Sequence, residues 1–217
     1  MNTTLEKRLP AGVAREISRE EIAKLPLRRY DGDVCLVSTP QDLERAMDDI
    51  RNESVVGFDT ETRPAFSKGE SHLPCLAQAA TARAVYLFRL NQPEVLRLVG
   101  DLLANVHTVK AGVALAFDLR RLKLVFPFEQ RGVLDLGIEA SRCGVNQTGL
   151  RNLAGIFLGF RIPKGASTSN WASSRLSSDQ ITYAATDAWA CRELFLQFRT
   201  LGLLRARPVA QPGSGRT

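Results

Sequence analysis

The order of strand-like and helix-like segments is the feature that most constrains the fold of this chain. Five short segments have the apolar, β-branched composition of strands: 34–37, 54–60, 76–80, 84–88 and 108–112. Only Thr81, Ala82 and Arg83 separate the third segment from the fourth, which predicts a hairpin. Later in the chain, strands alternate with helices. Strands that first cluster and then alternate with helices predict an α/β fold, a mixed five-stranded sheet flanked by helices.

Several helices are marked by residues that satisfy the free backbone groups at a helix end. Pro40 follows Thr39, which favours a helix over 40–51 because proline in the first position loses no hydrogen bond. A capping box over 177–180 predicts the start of a last helix that ends near residue 201. Apolar periodicity and a second capping box predict the remaining helices, near 18–21 and over 93–103, 115–125, 134–142 and 150–158, with a polar loop over 164–170.

Charge and composition divide the chain into a central domain and two ends. The net charge is +6, and residues 1–30 and 204–217 each contribute +3, so residues 31–203 sum to zero. The segment 1–30 is expected to be a poorly packed arm. The segment 205–217 is rich in proline, glycine and serine, which predicts a disordered tail. We therefore expect a single domain over 31–204.

Within that domain the basic residues are concentrated in one stretch. Residues 110–175 contain ten lysines and arginines against four acidic residues. Such a stretch suits a polyanionic partner, because each neutralised phosphate releases counterions. A solvated protein surface would have the same composition, so charge alone leaves both interpretations open.

Several classes of protein are not expected. No apolar run approaches the roughly 20 residues of a membrane helix, and the first residues lack the apolar region of a secretory signal. The four cysteines are 40, 68 and 48 positions apart, and the chain has two histidines. A zinc site of the Cys/His kind or a disulfide framework is therefore not expected. We expect a reduced, cytoplasmic protein.

Asp59, Thr60 and Glu61 end the second predicted strand. Because side chains alternate along a strand, Asp59 and Glu61 should project from the same face. Two carboxylates about 4 Å apart repel by roughly 4 kcal/mol at an effective dielectric constant near 20. A bound cation or protonation of one acid would remove this repulsion. The alternative is that the pair lies beyond the sheet edge, in solvent.

Two further acids lie in predicted helices. Asp118 has the apolar neighbours Phe117 and Leu119, although helix surfaces often carry a single acid. Tyr183 and Asp187 are four residues apart, which places them on one face of the last helix, one turn apart. Three alanines around them would allow this helix to approach another element closely. An ordinary surface pair of Tyr and Asp has the same spacing.

Taken together, these acidic elements resemble the three motifs of the DEDD superfamily of 3′→5′ exonucleases. The motifs are Phe58-Asp59-Thr60-Glu61, Phe117-Asp118 and Tyr183-Ala-Ala-Thr-Asp187, and the tyrosine is typical of the branch that has Tyr rather than His. The resemblance extends over about 35–200 and is similar in detail to ribonuclease D and to the Werner-type exonuclease domain. The segments that carry this detail are Leu73–Ala79, Val85–Phe88, Lys110–Val113 and Ser169–Trp171.

The resemblance implies a ribonuclease H-like fold and a catalytic site of Asp59, Glu61, Asp118, Tyr183 and Asp187. The four acids are implied to bind two divalent ions, Mg²⁺ or Mn²⁺, and the tyrosine to orient the attacking water. Hard cations of this kind take oxygen ligands, which agrees with an all-carboxylate set. The implied partner is the 3′ end of DNA or RNA, from which nucleoside 5′-monophosphates are released.

Contacts with the nucleic acid are expected from five further residues. Werner-type domains have an aromatic residue two positions after the motif aspartate, where this chain has Arg120, which suggests a phosphate contact instead of stacking. Trp171 lies in a polar loop and is a candidate for base stacking, whereas Trp189 is expected to pack in the core. The complete predicted set is Thr60, Arg120, Lys164, Trp171 and Arg175.

Two other functions remain alternatives. A catalytically silent nucleic-acid-binding module could have kept the same fold, although all four acids and the tyrosine are present here. An endonuclease or other phosphohydrolase on this fold is the second alternative, against which the Tyr-X-X-X-Asp element argues.

Overall fold

The computed structural model describes residues 9–65, 67 and 69–205, and they form a mixed sheet with helices on both faces. The sheet has six strands in the order β1-β4-β3-β2-β5-β6. β3 pairs antiparallel with β2 and with β4, and the other pairs are parallel. The strands are β1 Asp33–Val37, β2 Val55–Thr62, β3 Pro74–Ala80, β4 Ala84–Arg89, β5 Val109–Gly112 and β6 Val133–Asp135.

Seven α-helices lie in the described part of the chain: α1 Arg19–Lys24, α2 Pro40–Arg51, α3 Pro93–Ala104, α4 Leu115–Leu122, α5 Leu136–Arg142, α6 Leu150–Leu153 and α7 Ser178–Thr200. Both predicted capping boxes form, that of Ser18 with Glu21 and that of Ser177 with Gln180. None of the described helices is long and apolar enough to cross a membrane.

The prediction of an α/β fold with a mixed sheet is confirmed, and the sheet has one strand more than the five predicted. Leu134 and Asp135 were expected to begin a helix, but they belong to β6, and α5 starts only at Leu136. The prediction failed because β6 has three half-buried residues, too few to show an alternating pattern. The helix predicted over 150–158 is α-helical only to Leu153 and then widens into a π-helical turn over Ala154–Leu158. A short 3₁₀ turn, Ala166–Thr168, lies in the predicted polar loop.

Each face of the sheet has its own apolar core. On one face, Val56, Phe58 and Tyr86 are fully buried against α2, α3 and α4. On the other face, Val55 and Ala111 pack with α5, α6 and the C-terminal half of α7. The N-terminal half of α7 packs on the outer part of this second face, against β3 and β4. The long helix α7 therefore crosses the middle of the sheet, where β2 ends in the acidic pair.

The described part of the N-terminal segment, residues 9–30, is attached to the domain although none of these residues is buried. The backbone of Ile17 donates a hydrogen bond of 2.9 Å to the side chain of Gln147. The Arg28 amide donates a hydrogen bond to the Arg161 carbonyl, and the Arg161 amide donates to the Pro26 carbonyl. The Tyr30 amide donates to Thr186 Oγ1. The polar composition of the segment gives no sign of this attachment, because backbone hydrogen bonds make up most of it. The predicted tail lies almost entirely outside the described residues, which end at 205.

Gly57 sets the distance between β2 and α7. A Cβ atom placed on Gly57 would lie 1.9 Å from the carbonyl oxygen of Ala188 and 2.7 Å from the amide nitrogen of Arg192. Both atoms are helix backbone, so no side-chain rotation could relieve the clash. Ala184, Ala185 and Ala188 are fully buried at the same contact, which confirms the close approach expected from these alanines.

We predict that Gly57→Ala lowers the free energy of unfolding by at least about 2 kcal/mol, because the methyl group overpacks a rigid contact. Denaturant unfolding followed by circular dichroism measures this change. Gly149→Ala is the matched control, since nothing lies within 4 Å of an added Cβ there. Equal stability of the two variants would show that the contact between β2 and α7 can relax.

Candidate active site

The end of β2 presents the acidic pair on the face covered by α7. Asp59 lies opposite Gln78 of β3 in the antiparallel register, and Glu61 lies opposite Leu76. Both acids face the same side, as alternation requires. Asp59 is half-buried and Glu61 is 8% exposed, so the alternative of a solvated pair beyond the sheet is excluded.

α7 brings Asp187 to this pair. The Asp187 carboxylate is 8% exposed, and one ligand oxygen from each of Asp59, Glu61 and Asp187 lies within 4.8 Å of the other two. Tyr183, one turn earlier, lies beside Asp187, and each of the two residues influences the pKa of the other. The sequence therefore predicted correctly that residues 59, 61 and 187 converge.

Asp118 lies in the first turn of α4, near the three clustered acids. It is not one of the three acids whose oxygens cluster within 4.8 Å, but its charge contributes to the raised pKa values of Asp59 and Glu61. Asp135 fixes the start of its helix, because one carboxylate oxygen accepts from the Leu115 amide at 3.0 Å. The other oxygen caps α5. Asp135 therefore positions α4 relative to β6.

The acids repel one another in a poorly solvated environment. Burial and, next, the charges of Asp187 and Asp118 hold the pKa of Asp59 well above its usual range. Burial and the charge of Asp59 do the same to the pKa of Glu61. Burial raises the pKa of Asp187 to about 6, against the opposing influence of Tyr183 and Arg151. Burial likewise raises the pKa of Asp118 to about 6. In the absence of a cation, these four carboxyl groups therefore retain their protons to a higher pH in the folded protein than in the unfolded chain.

A divalent cation fits this donor set. Mg²⁺ binds oxygen ligands at about 2.0–2.1 Å in an octahedron, so neighbouring ligand oxygens lie about 3 Å apart. The three carboxylate oxygens lie within 4.8 Å of one another, so they would move closer by up to about 2 Å to bind one ion. No lysine or arginine in the described part of the chain forms an ion pair with any of the three. An oxygen-preferring cation would supply the missing positive charge.

Two adjoining cavities meet at Tyr183 and Lys164, and the larger of them reaches Asp187. One, of about 570 Å³, is lined by Asp187 and Tyr183 together with Arg19, Arg151 and Lys164. The other, of about 370 Å³, is lined by Tyr183, Lys164 and Arg29 among others. A negatively charged centre thus opens into a cleft with basic walls, and predicted Lys164 lies in both parts of it.

The other residues predicted to contact nucleic acid do not line these two cavities. Arg120 and Arg175 are exposed, but neither lines the two cavities. Thr60 is 9% exposed, and among the described residues its Oγ1 has no hydrogen-bond partner.

The structure corrects the expectation for Trp171, which is 1% exposed, with its ring 6.1 Å from that of Tyr183. Its loop folds under the N-terminal half of α7, so the indole packs beside Tyr183 and is not available to stack on a base. Trp189 packs parallel to Phe160 at 5.4 Å and is partly buried, as expected of a core residue.

The sequence did not identify three residues of the site. Arg151 lines the larger cavity and lowers the pKa values of Asp187 and Tyr183. Asp135 could have been found as an aspartate at a helix start, had α5 been predicted to begin one residue after it. Arg19 is 132 positions from Arg151 along the chain, and no local pattern connects the two.

Comparison with known proteins agrees with this geometry. The sequence matches the 3′-5′ exonuclease family over residues 34–202. The chain belongs to this family. A relative named exonuclease mut-7 homolog, from Drosophila melanogaster, is 31% identical over 196 residues, which are 78% of this chain and 31% of that protein. Ribonuclease D of Gluconacetobacter diazotrophicus is 30% identical over 167 residues, 75% of this chain and 42% of that protein. The exonuclease chain thus spans less than half the length of these curated relatives.

Solved structures share the fold of this exonuclease. The Nibbler EXO domain of Aedes aegypti superposes with a TM-score of 0.71 at 23% identity, covering 80% of this chain and 92% of that one. Trypanosoma brucei ribonuclease D, solved in complex with RNA U12, gives 0.65 at 20% identity, covering 85% and 66%. At these identities the likeness concerns the fold, and it confirms the expected ribonuclease H-like architecture.

We predict that the metal-free exonuclease loses stability as the pH rises above about 4. A carboxyl whose pKa is raised on folding binds more protons in the folded than in the unfolded state. Its contribution to the free energy of unfolding is therefore present below the unfolded pKa of about 4 and is lost as the pH rises through the folded pKa. Thermal unfolding in EDTA should therefore give a lower midpoint temperature at pH 8 than at pH 5. Replacing EDTA with Mg²⁺ should raise this midpoint by more at pH 8 than at pH 5.

Asp187→Asn provides the control for this prediction, because it removes one charge from the cluster without changing its size. The variant should show a weaker pH dependence in EDTA and a smaller shift with Mg²⁺. Identical Mg²⁺ shifts in the variant and the unmodified protein would contradict cation binding by this cluster.

Proposed function

We propose that this 3′-5′ exonuclease hydrolyses phosphodiester bonds of DNA or RNA from the 3′ end, releases nucleoside 5′-monophosphates and depends on two divalent ions, Mg²⁺ or Mn²⁺. The observation that carries the proposal is the convergence of the Asp59, Glu61 and Asp187 carboxylates, of which Asp187 lines a cleft that also contains basic side chains. A buried group of acids that forms no ion pair within the described residues is unstable by itself and suits cation-dependent phosphoryl chemistry.

The carboxylates have distinct proposed roles. Asp59, Glu61 and Asp187 would hold one ion, and Asp59 together with Asp118 would hold a second, which agrees with the position of Asp118 outside the tight group. Ions bound in this way stabilise the attacking and the leaving oxygen of an in-line displacement.

Tyr183 is proposed to orient the attacking water. Burial and the charge of Asp187 raise the pKa of its phenol above the ordinary value of 10, so the side chain is neutral near neutral pH. A neutral phenol has oxygen lone pairs that can accept a hydrogen bond from an O–H of the attacking water. The water oxygen then bonds to phosphorus as the bond to the 3′ oxygen of the preceding nucleotide breaks.

The substrate is proposed to be a nucleic acid because of the family and the charges of the cleft. One protein of similar structure is a ribonuclease D solved with RNA, and a curated relative is a ribonuclease D. Both favour RNA as the first substrate to test, with DNA of the same sequence beside it.

We predict that Asp59→Ala and Asp187→Ala abolish cleavage and leave binding of the oligonucleotide measurable, because each removes a ligand of the proposed ion. EDTA should have the same effect. The measurement is degradation of 5′-labelled single-stranded and duplex RNA and DNA, with Mg²⁺ and with Mn²⁺. Asp101→Ala is the matched control, since Asp101 is an exposed acid of α3 on the opposite face of the sheet.

The products separate the alternatives. A ladder that shortens from the 3′ end supports the proposal, and discrete internal cuts would support an endonuclease. Binding without cleavage under every metal condition would support a silent nucleic-acid-binding module. Full activity of Asp59→Ala would contradict the assigned roles.

We predict that Tyr183→Phe slows cleavage by less than about 100-fold, because proton transfer by a side chain contributes about 10²–10⁴-fold and orientation contributes less. Single-turnover rates at saturating enzyme measure this effect. A loss as large as that of Asp187→Ala would instead assign a proton-transfer role to the phenol.

A further inference from the structure

The N-terminal segment lies outside the part of the chain that matches the exonuclease family, yet it reaches the active-site cleft. The family match begins at residue 34, whereas Arg19 and Ile22 of α1 line the same cavity as Tyr183 and Asp187. The proposed catalytic chemistry needs nothing from this segment. Its position therefore requires a separate explanation.

The segment is held in place on both sides of α1. Before the helix, the Asn146 amide donates to the carbonyl of Arg15 at 2.8 Å, and Ile17 bonds to Gln147. After the helix, the Arg161 amide donates to the carbonyl of Pro26 at 3.0 Å. These bonds fix α1 against the segment that carries Arg151.

A glycine makes room for the helix. An added Cβ on Gly155, in the π-helical turn, would lie 3.1 Å from Ile17 Cδ1 and 3.3 Å from Leu25 Cδ1. The apolar side of the arm thus lies directly against the backbone of this turn. Because the apolar side of the arm packs against this turn, Arg19 lies on the exposed side, at the wall of the cleft.

Four basic side chains line the cleft without forming an ion pair within the described residues. Arg19, Arg151 and Lys164 line the larger cavity, and Arg29 with Lys164 lines the adjoining one. Within residues 9–65, 67 and 69–205, none of these four side chains forms an ion pair with a carboxylate. Four unpaired cations along a cleft are suited to a chain of phosphates.

We infer that α1 forms one wall of the substrate groove and that Arg19 binds a backbone phosphate of the strand whose 3′ end lies at the acids. The inference rests on the proposed function and adds a positioning residue from outside the matched domain. Since a phosphate contact carries no sequence information, Arg19 contributes to affinity for every sequence alike.

The test compares Arg19→Ala, Arg19→Lys and the unmodified full chain. Binding of 5′-fluorescein single-stranded RNA and DNA in EDTA is followed by anisotropy across a salt series. Arg19→Ala should weaken binding about two- to fivefold, the size of an exposed charge contact. It should also reduce the slope of log affinity against log salt by about 0.7, the value for one phosphate of a single strand. Arg19→Lys should retain most of the slope.

Lys24→Ala is the matched control, because Lys24 lies in the same helix, carries the same charge and lines neither cavity. It should leave affinity and slope unchanged. With Mg²⁺, Arg19→Ala should raise KM and leave kcat nearly unchanged. The inference is overturned if Arg19→Ala binds like the unmodified protein, or if Lys24→Ala loses as much. In either case a normal 3′ ladder would leave the proposed function intact, whereas a missing ladder in the unmodified protein would reject that function itself.

Discussion

The direct contact between the backbone of α7 and that of β2 is the constraint on which the site depends. Gly57 has no side chain, so the Ala188 carbonyl can lie where a Cβ would otherwise be. Asp187 precedes Ala188, and Asp59 lies two residues after Gly57. The closest point of the packing is therefore one residue away from Asp187 and two residues away from Asp59, and any increase in helix-to-sheet distance would separate their oxygens directly.

The same contact creates an electrostatic penalty that packing alone cannot remove. Burial between α7 and the sheet takes Asp59, Glu61 and Asp187 out of water, and each charge then raises the cost of the next. Hydrophobic burial on both faces of the sheet holds the acids in place despite this repulsion. The ligand oxygens of the three acids are thereby held within 4.8 Å of one another without a cation.

The sequence predicted those parts of the fold that follow from local patterns. Alternation placed Asp59 and Glu61 on one face, and helical spacing placed Tyr183 beside Asp187. It failed where the pattern was short or the contact was distant. β6 has three residues, so its periodicity could not be read. Trp171 lies in a polar loop, and only the fold of that loop under α7 shows that its ring is buried.

The arm shows a second limit of prediction from local composition. The segment is expected to be poorly packed, and none of its described residues is buried. Backbone hydrogen bonds and a few apolar side chains nevertheless attach it to the domain, while its arginines stay at the surface. The body of the chain has no net charge. In the proposed function, local cations would attract a substrate phosphate, and the arm would add positive charge where the acids would repel a bare strand. The acidic centre and the basic wall would then depend on each other, since a cation bound at the first would bring the phosphate within reach of the second.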